Sequence, residues 1–457
     1  MTQTAIILAA GKGRKIFPYG DTHPKAALPI ANRPLIQWQI EVLKHCGMKN
    51  IYIMTGHLGS QVRAAVFEIA GVECLEDSSC SGTAQALQTA LRTIQDESFL
   101  VVYGDTLFTQ PDIERLLKAS AEEQQAALIQ PLERQPAHEW ICAGLQGYAI
   151  ESILGHPREA THRLCGIFVL NRSIIPLLEI NPGFMTSVEV GNMPAPEAEL
   201  AESISQYIQR GGSIHAVEVR GLFMDIDKPW HYLDASTAWL NHLGEQMEDE
   251  NIHPEAIIEE GADIEGFISI GKNSFIGRDV KIRGNLWVGE NTKIIDGAII
   301  GGNSCIGSNT IIREYCKIEP NSAIGNRCII GHAAEFGGIL MDGAYSYHYG
   351  EYWGIIGRSA DLGAATVCGN LRFDDQTTRH TICGRRETPT SNSANAAYLG
   401  DYTRTGVNAI LMPGVKVGNS SIIGAGVILN EDVPSHTLIY VKQELEKRTW
   451  GPEKYGW

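Results

Sequence analysis

The sequence predicts an α/β, Rossmann-like domain followed by a left-handed parallel β-helix. Three observations carry this. A short apolar run, Thr4 to Ala10, ends in a glycine-rich loop, Gly11-Lys12-Gly13-Arg14-Lys15. Further apolar runs alternate with helical patterns through the first half. In the second half an aliphatic residue recurs at every sixth position.

In the first half, Thr4–Ala10, Asn50–Thr55 and Phe99–Tyr103 read as buried strands, and Pro34–His45 and Thr83–Ile94 as helices. Strand–helix alternation predicts a parallel sheet covered by helices on both faces, with ligands beyond the carboxyl ends of the strands. The glycine loop and Gly104-Asp105 both fall at such ends.

The second half keeps its period from Ile252 through Ile270, Val288, Ile306 and Ile324 to Ile330. Six residues turn an α-helix by about 600°, so the stripe would wander around it. Short strands broken by corners hold the period, and three hexads close one triangular coil that stacks on the next. Ile356 and Leu362 are two positions out of phase, which predicts an irregular segment near 331–355. The run Leu399, Thr405, Leu411, Val417, Ile423 and Leu429 is displaced again, which predicts an excursion near 369–398. Loops projecting from a repeat scaffold are where chemistry is sought. The expected domains are 1–235, a helical linker 236–250, the β-helix 251–435 and a tail 436–457.

The 457 residues are 44% hydrophobic and 20% charged with 48 glycines, enough for several cores with many tight turns. A formal net charge of −16 opposes a surface for nucleic acid or anionic membrane. Ten scattered cysteines form no C-x-x-C pair, which excludes a zinc framework and a disulfide scaffold and predicts reduced thiols. The first residues lack a basic, apolar leader, so a cytoplasmic location is expected.

Lys12, Arg14 and Lys15 in the loop, with Pro24-Lys25 beyond it, converge on one strand end and suggest a polyphosphate site. The loop is neither a Walker A motif nor a complete dinucleotide fingerprint. Asp105 and the carboxylate in Phe223-Met224-Asp225-Ile226 could share one Mg2+ and bridge it to phosphates.

Leu8-Ala9-Ala10-Gly11-Lys12-Gly13, Pro24-Lys25, Gly82-Thr83-Ala84, Gly104-Asp105 and Asp225-Ile226 with Pro229-Trp230 resemble the sugar-1-phosphate nucleotidylyltransferases. Asn370-Leu371-Arg372-Phe373-Asp374 and Arg404-Thr405-Gly406-Val407-Asn408 look like the acetyltransferase half of archaeal-type bifunctional enzymes. The resemblance implies a nucleotidyltransferase domain that takes an NTP and a sugar 1-phosphate, releases pyrophosphate and forms an NDP-sugar. It further implies acetylation of an amino sugar 1-phosphate from acetyl-CoA as a second activity. By position, Lys25 and Lys15 would contact phosphates, and Asp105 and Asp225 would hold Mg2+. Leu8, Ala10, Gly11, Gly13, Asp77, Gly82 and Thr83 would line the nucleotide. Gly147, His156 and Asn370 would meet the sugar, and His348 would be the acetyl-transfer base.

Several positions depart from the family pattern. Lys15 stands for Arg, Asp77 for Gln, Gly155-His156-Pro157 for Glu-Lys-Pro, Leu164 for Asn, and Asp361 for Asn. A carboxylate at 77 only accepts hydrogen bonds, which would favour cytosine or guanine. The alternative reading is a nucleotide-sugar-binding regulatory subunit without turnover, with the β-helix as an oligomerising platform. The resemblance implies a homo-oligomer, a trimer or a multiple of three.

Overall fold

The computed structural model describes residues 2–133, 135–183, 197–448 and 450–451. The end residues Tyr455 and Trp457, in the expected tail, lie outside the described residues.

The first half is built on a nine-stranded sheet in the order 72–76, 50–55, 4–9, 98–103, 162–171, 126–131, 215–218, 149–155 and 141–146. Its first four strands are parallel, as in Ala5 opposite both Ile51 and Leu100. The expectation of a wholly parallel sheet needs correction, because strand His162–Asn171 runs antiparallel to its neighbours on both sides. Thr4–Ala9 lies near the middle of the sheet and is buried along its whole length, which explains its unbroken apolar run. Two cores flank the sheet. Ile6, Leu87 and Phe168 belong to one, and Ile7, Ile40 and Val102 to the other.

The second half is a parallel β-helix. Residue i pairs with i+18, as in Ile270 with Val288 and Ile294 with Ile312, so each coil holds three hexads. The column Ile276, Ile294, Ile312 and Ile330 is buried. Corner residues such as Asn273, Asn291, Asn309 and Asn321 adopt left-handed backbone, which Asn tolerates well. Polar side chains at one corner form a ladder along the stack. Ser274 Oγ accepts from Thr292 N, Thr292 Oγ1 from Thr310 N, and Thr310 Oγ1 from Cys328 N, each hydroxyl also donating to a carbonyl one coil on. Buried backbone groups at the corner are thereby satisfied.

The first change of phase is not the projecting segment expected near 331–355. Ile324 pairs with Leu340, and Leu340 with Ile356, at a separation of 16 rather than 18. The strands Glu335–Leu340 and Glu351–Ile356 run through a corner that earlier coils break in two. The bend falls at Gly338 (φ 112°) and Gly354 (φ 138°), whose missing side chains let successive backbones touch. Two residues are lost at the corner, and nothing is inserted. The second displacement is a true excursion, between Val367–Cys368 and Ala397–Leu399.

The halves share a core. Tyr19, Leu107, Trp230, Tyr232, Trp239 and Leu240 pack with Ile339, Met341, Ile355 and Tyr398 of the β-helix. Polar contacts fix the register between them. Tyr19 Oη donates to Ile355 O at 2.9 Å, His23 Nε2 meets Asp401 at 2.9 Å, and Asn419 Nδ2 donates to Pro18 O at 2.7 Å. The helix expected over 236–250 instead spans Pro229–Glu245, because Trp230, Leu233 and Trp239 bury its length and Pro suits a first helical position. Position 235 is therefore inside a buried helix. The last coil reaches Leu438–Ile439, beyond 435.

A methyl group at Gly354 would overlap the carbonyl oxygen of Ala397, whereas one at Gly426 (φ 71°) meets nothing within 4 Å. Gly354→Ala is expected to cost on the order of 3 kcal/mol and Gly426→Ala about 1 kcal/mol. Thermal melting of the two variants should show the larger fall for Gly354→Ala, and equal falls would contradict the close approach.

Candidate active site

Three strand ends build the site. Parallel pairing brings the exits of Thr4–Ala9 and Ser98–Tyr103 side by side, and Gly104 N donates to Leu8 O at 2.9 Å. A Cβ at Gly104 would come within 2.9 Å of Ala9 Cβ, so only glycine lets the chain cross here and present Asp105. Strand Thr106–Phe108 then pairs antiparallel with Phe223–Asp225. Asp225 lies opposite Thr106, and Ile226 N donates to Asp105 O at 2.9 Å. Asp105 and Asp225 are thus brought together.

Lys25 Nζ lies 3.0 Å from Asp105 Oδ2 and 3.2 Å from Asp227 Oδ1, and Lys15 Nζ lies 3.2 Å from Asp227 Oδ2. Burial works against the charge on Asp227, yet Lys25, Lys15 and Lys228 together hold its carboxyl well below the usual range. Burial likewise opposes the charge on Lys25, and Asp105 and Asp227 more than reverse that. Asp225 behaves differently. Burial, then the neighbouring Asp105, pushes its carboxyl up to about 7. Its oxygens enter no hydrogen bond or ion pair among the described residues. An unpartnered carboxyl facing a second carboxylate is the donor set a hard divalent cation favours. Among the described residues no group of three or more His, Cys, Asp or Glu could hold a metal, so protein oxygens alone would not complete a cage.

Behind the cluster, Lys228 is 2% exposed, with its Nζ 2.9 Å from Glu387, 3.6 Å from Glu139 and 3.7 Å from Asp227. His231 stacks on Trp140 at 5.5 Å, and burial, then Lys228, push it down to about 3, so the ring is neutral. Arg163 donates to Gln130 and lies 3.9 Å above the Trp140 ring.

The structure gathers Lys15, Lys25, Asp105 and Asp225 beside the Ala10–Gly13 loop, where Gly13 takes φ 62° and lies against Lys25. Leu8 is buried beneath, its carbonyl committed to Gly104. Gly82 and Thr83 open a helix, but segment 198–200 covers them. Gly82 leaves room for the Ala198 backbone, and Thr83 Oγ1 donates to Glu199 at 2.8 Å and accepts from Leu200 N at 2.7 Å. Asp77 is tied into its own turn, accepting from the Ser79 hydroxyl at 2.5 Å, from Ser79 N at 2.9 Å and from Thr89 at 3.1 Å, and these bonds, that of the Ser79 hydroxyl first, hold it at about 2.

Gly147 requires correction. It occupies the turn that joins strands Ile141–Gln146 and Ala149–Gly155, at the far end of the first strand from Trp140. Six strand residues span roughly 20 Å, too far for a sugar contact near Asp105. His156 lies within electrostatic reach of Lys15 and Asp227. In the β-helix, His348 is exposed at one corner with His332 6.3 Å away, ring to ring. Asn370 is exposed just beyond strand Val367–Cys368, which pairs with Glu351 one coil earlier.

The sequence reading missed Asp227, although residues 225 and 227 share a face of any extended segment. Glu199, Lys228 and Glu387 had no local signal, since their partners are distant in the chain.

Residues 5–251 match the family model of the MobA-like NTP transferase domain. Two proteins named Bifunctional protein GlmU, from strains of Methanococcus maripaludis, are 29% and 30% identical over 454 residues, covering 96% of this chain and 98% of each relative. A bifunctional sugar-1-phosphate nucleotidylyltransferase/acetyltransferase of Sulfurisphaera tokodaii is 26% identical over 452 residues, covering 94% of this chain and 98% of its own. The class is thus an NTP transferase joined to a β-helix. The chain belongs to the family of these bifunctional proteins.

Asp227→Asn would free Lys15 and Lys25 from their shared anchor. Turnover is expected to fall at least tenfold, by roughly 1.4 kcal/mol or more, with the circular dichroism spectrum unchanged. Undiminished turnover would mean that Asp227 only fills space.

Proposed function

We propose that the first half transfers a nucleotidyl group from an NTP to a sugar 1-phosphate, releasing pyrophosphate and forming an NDP-sugar, and that the β-helix acetylates an amino sugar 1-phosphate. The observation that carries the first activity is the Lys25–Asp105–Asp227 cluster beside the unpartnered Asp225 at the glycine loop. Phosphoryl-type transfer needs little covalent help from a protein and depends on positioning and charge neutralisation. The sugar phosphate oxygen attacks the α-phosphorus as the bond to the departing pyrophosphate breaks. Lys25, already charged and aimed at this point, would exchange a carboxylate for an oxygen of the reacting phosphate. Lys15 and the backbone N–H groups of Gly11 to Gly13 would hold the departing end, and Asp227 keeps both lysines in place.

Asp105 and Asp225 are the residues that would hold Mg2+, which when bound offsets charge on the triphosphate. Leu8, Ala10, Gly82, Thr83 and Asp77 remain proposed nucleotide contacts, with His156 at the sugar phosphate. The Sulfurisphaera tokodaii relative is named as a nucleotidylyltransferase/acetyltransferase, and no observation favours a binding subunit without turnover.

For acetyl transfer, His348 is proposed as the base that takes the amine proton while acetyl-CoA supplies the acyl group. Asn370 would meet the sugar across a boundary between copies. Leu371 and Phe373, 69% and 103% exposed beside it, suit burial in a homotrimer. No helix among the described residues is long and apolar enough to cross a membrane, and a cytoplasmic enzyme is proposed.

Incubation with each of the common NTPs and a set of sugar 1-phosphates should release pyrophosphate in at least one pairing. Asp105→Asn should lower that rate by about a hundredfold or more, and EDTA should abolish it. Release indifferent to both would rule out the carboxylate pair. Thiol release from acetyl-CoA with glucosamine 1-phosphate should fall by about a hundredfold in His348→Ala; an unaffected rate would move the base to another residue.

A further inference from the structure

The excursion at 369–396 does not hang free. Its strands His380–Ile382 and Arg385–Glu387 are joined by Cys383 and Gly384, at φ 47° and 77°. Two residues at positive φ make the tight turn whose twist suits a hairpin. His380 pairs with Glu387 and Ile382 with Arg385, so alternation puts these four on one face and Thr381 and Arg386 on the other.

Three of the four are seated on the first half. His380 stacks on Trp230 at 4.5 Å, Ile382 is 5% exposed in the shared core, and Glu387 reaches Lys228 at 2.9 Å. At the tip, Cys383 Sγ lies 3.8 Å from the carbonyl oxygen of Arg14, so the hairpin abuts the glycine-rich loop. Below it, Ser391 and Ser393 donate to Asp234 at 2.9 and 2.6 Å.

Arg385 is the fourth residue of this face. It is exposed and enters no ion pair or hydrogen bond among the described residues. It lies within electrostatic reach of His156, as do Lys15 and Asp227. Burial holds His156 below the usual histidine value, so the ring brings no charge at neutral pH. Lys15 and Lys25 are committed to carboxylates. Arg385 thus offers an uncommitted cation at an edge where anionic substrates must enter.

We propose that Arg385, carried in by the β-helix hairpin, binds a substrate phosphate at the mouth of the nucleotidyl-transfer cleft. The inference rests on the transfer reading above and extends it: one wall of the first site belongs to the second domain. The planar guanidinium fork fits phosphate oxygens two at a time. Two phosphates share this chemistry, that of the sugar 1-phosphate beside His156 and that of the departing end above the Gly11–Lys15 loop.

The test is calorimetric titration of the full chain with glucose 1-phosphate, which lacks the amine that the β-helix would acetylate, and, separately, with inorganic pyrophosphate and Mg2+. Arg385→Ala should weaken at least one probe about tenfold or more. Arg385→Lys should recover part of the loss, and Arg386→Ala, which removes the same charge from the outward face, should stay within about twofold of the parent. Loss confined to glucose 1-phosphate places Arg385 at the sugar phosphate, and loss confined to pyrophosphate places it at the departing end. Affinity unchanged for both probes, or no binding of either by the parent, overturns the proposal. Pyrophosphate release measured alongside keeps the two readings apart. A chain with Arg385-dependent binding and no turnover on any NTP would retain this inference and lose the transfer reading.

Discussion

Lys25, clasped between Asp105 and Asp227, is the contact on which the first site depends. The two carboxylates arrive from separate strand ends, and the lysine arrives from the turn after the glycine loop. Buried charges are costly unless paired, so each partner holds the others in position. The pairing also leaves Asp225 without a salt bridge among the described residues, next to Asp105, and Arg163 and Lys25 offset only part of what burial and Asp105 do to its charge. That imbalance makes the cluster a receptor for further positive charge. A closed salt-bridge network would carry no such demand.

The same segment ties the site to the β-helix. Asp225, Asp227 and Lys228 lead directly into the helix Pro229–Glu245, which packs between the halves. Lys228 takes its nearest carboxylate from the excursion of the β-helix. A change at Lys228 therefore touches the charge cluster and the interface at once. The cut corner at Gly338 and Gly354 contributes too, since Ile339 and Ile355 of those strands join the shared core.

The architecture was legible because both halves announce it in periods. The hexads specify coils that pair at i+18, and the buried strand Thr4–Ala9 followed by glycines specifies a strand-end site. That Lys15, Lys25, Asp105 and Asp225 lie together was legible from the glycine loop, the Pro24-Lys25 step and two strand ends. What was hidden depends on distance along the chain. Nothing near Lys228 foretells Glu387, and nothing near Gly82 foretells the backbone of Ala198. The phase change at Phe336–Leu340 was visible, but period alone does not separate an insertion from a deletion at a corner. Gly147 was misplaced because a glycine in a hairpin turn reads like one that makes room for a ligand.

The most direct test is anomalous diffraction from crystals grown with Mn2+ and a non-hydrolysable nucleoside triphosphate. The expected result is one metal peak touching carboxylate oxygens of both Asp105 and Asp225 and a phosphate oxygen, with Lys25 moved onto the phosphates. A triphosphate bound with no metal at either aspartate, or a metal bound elsewhere while Lys25 keeps both carboxylates, would contradict the account.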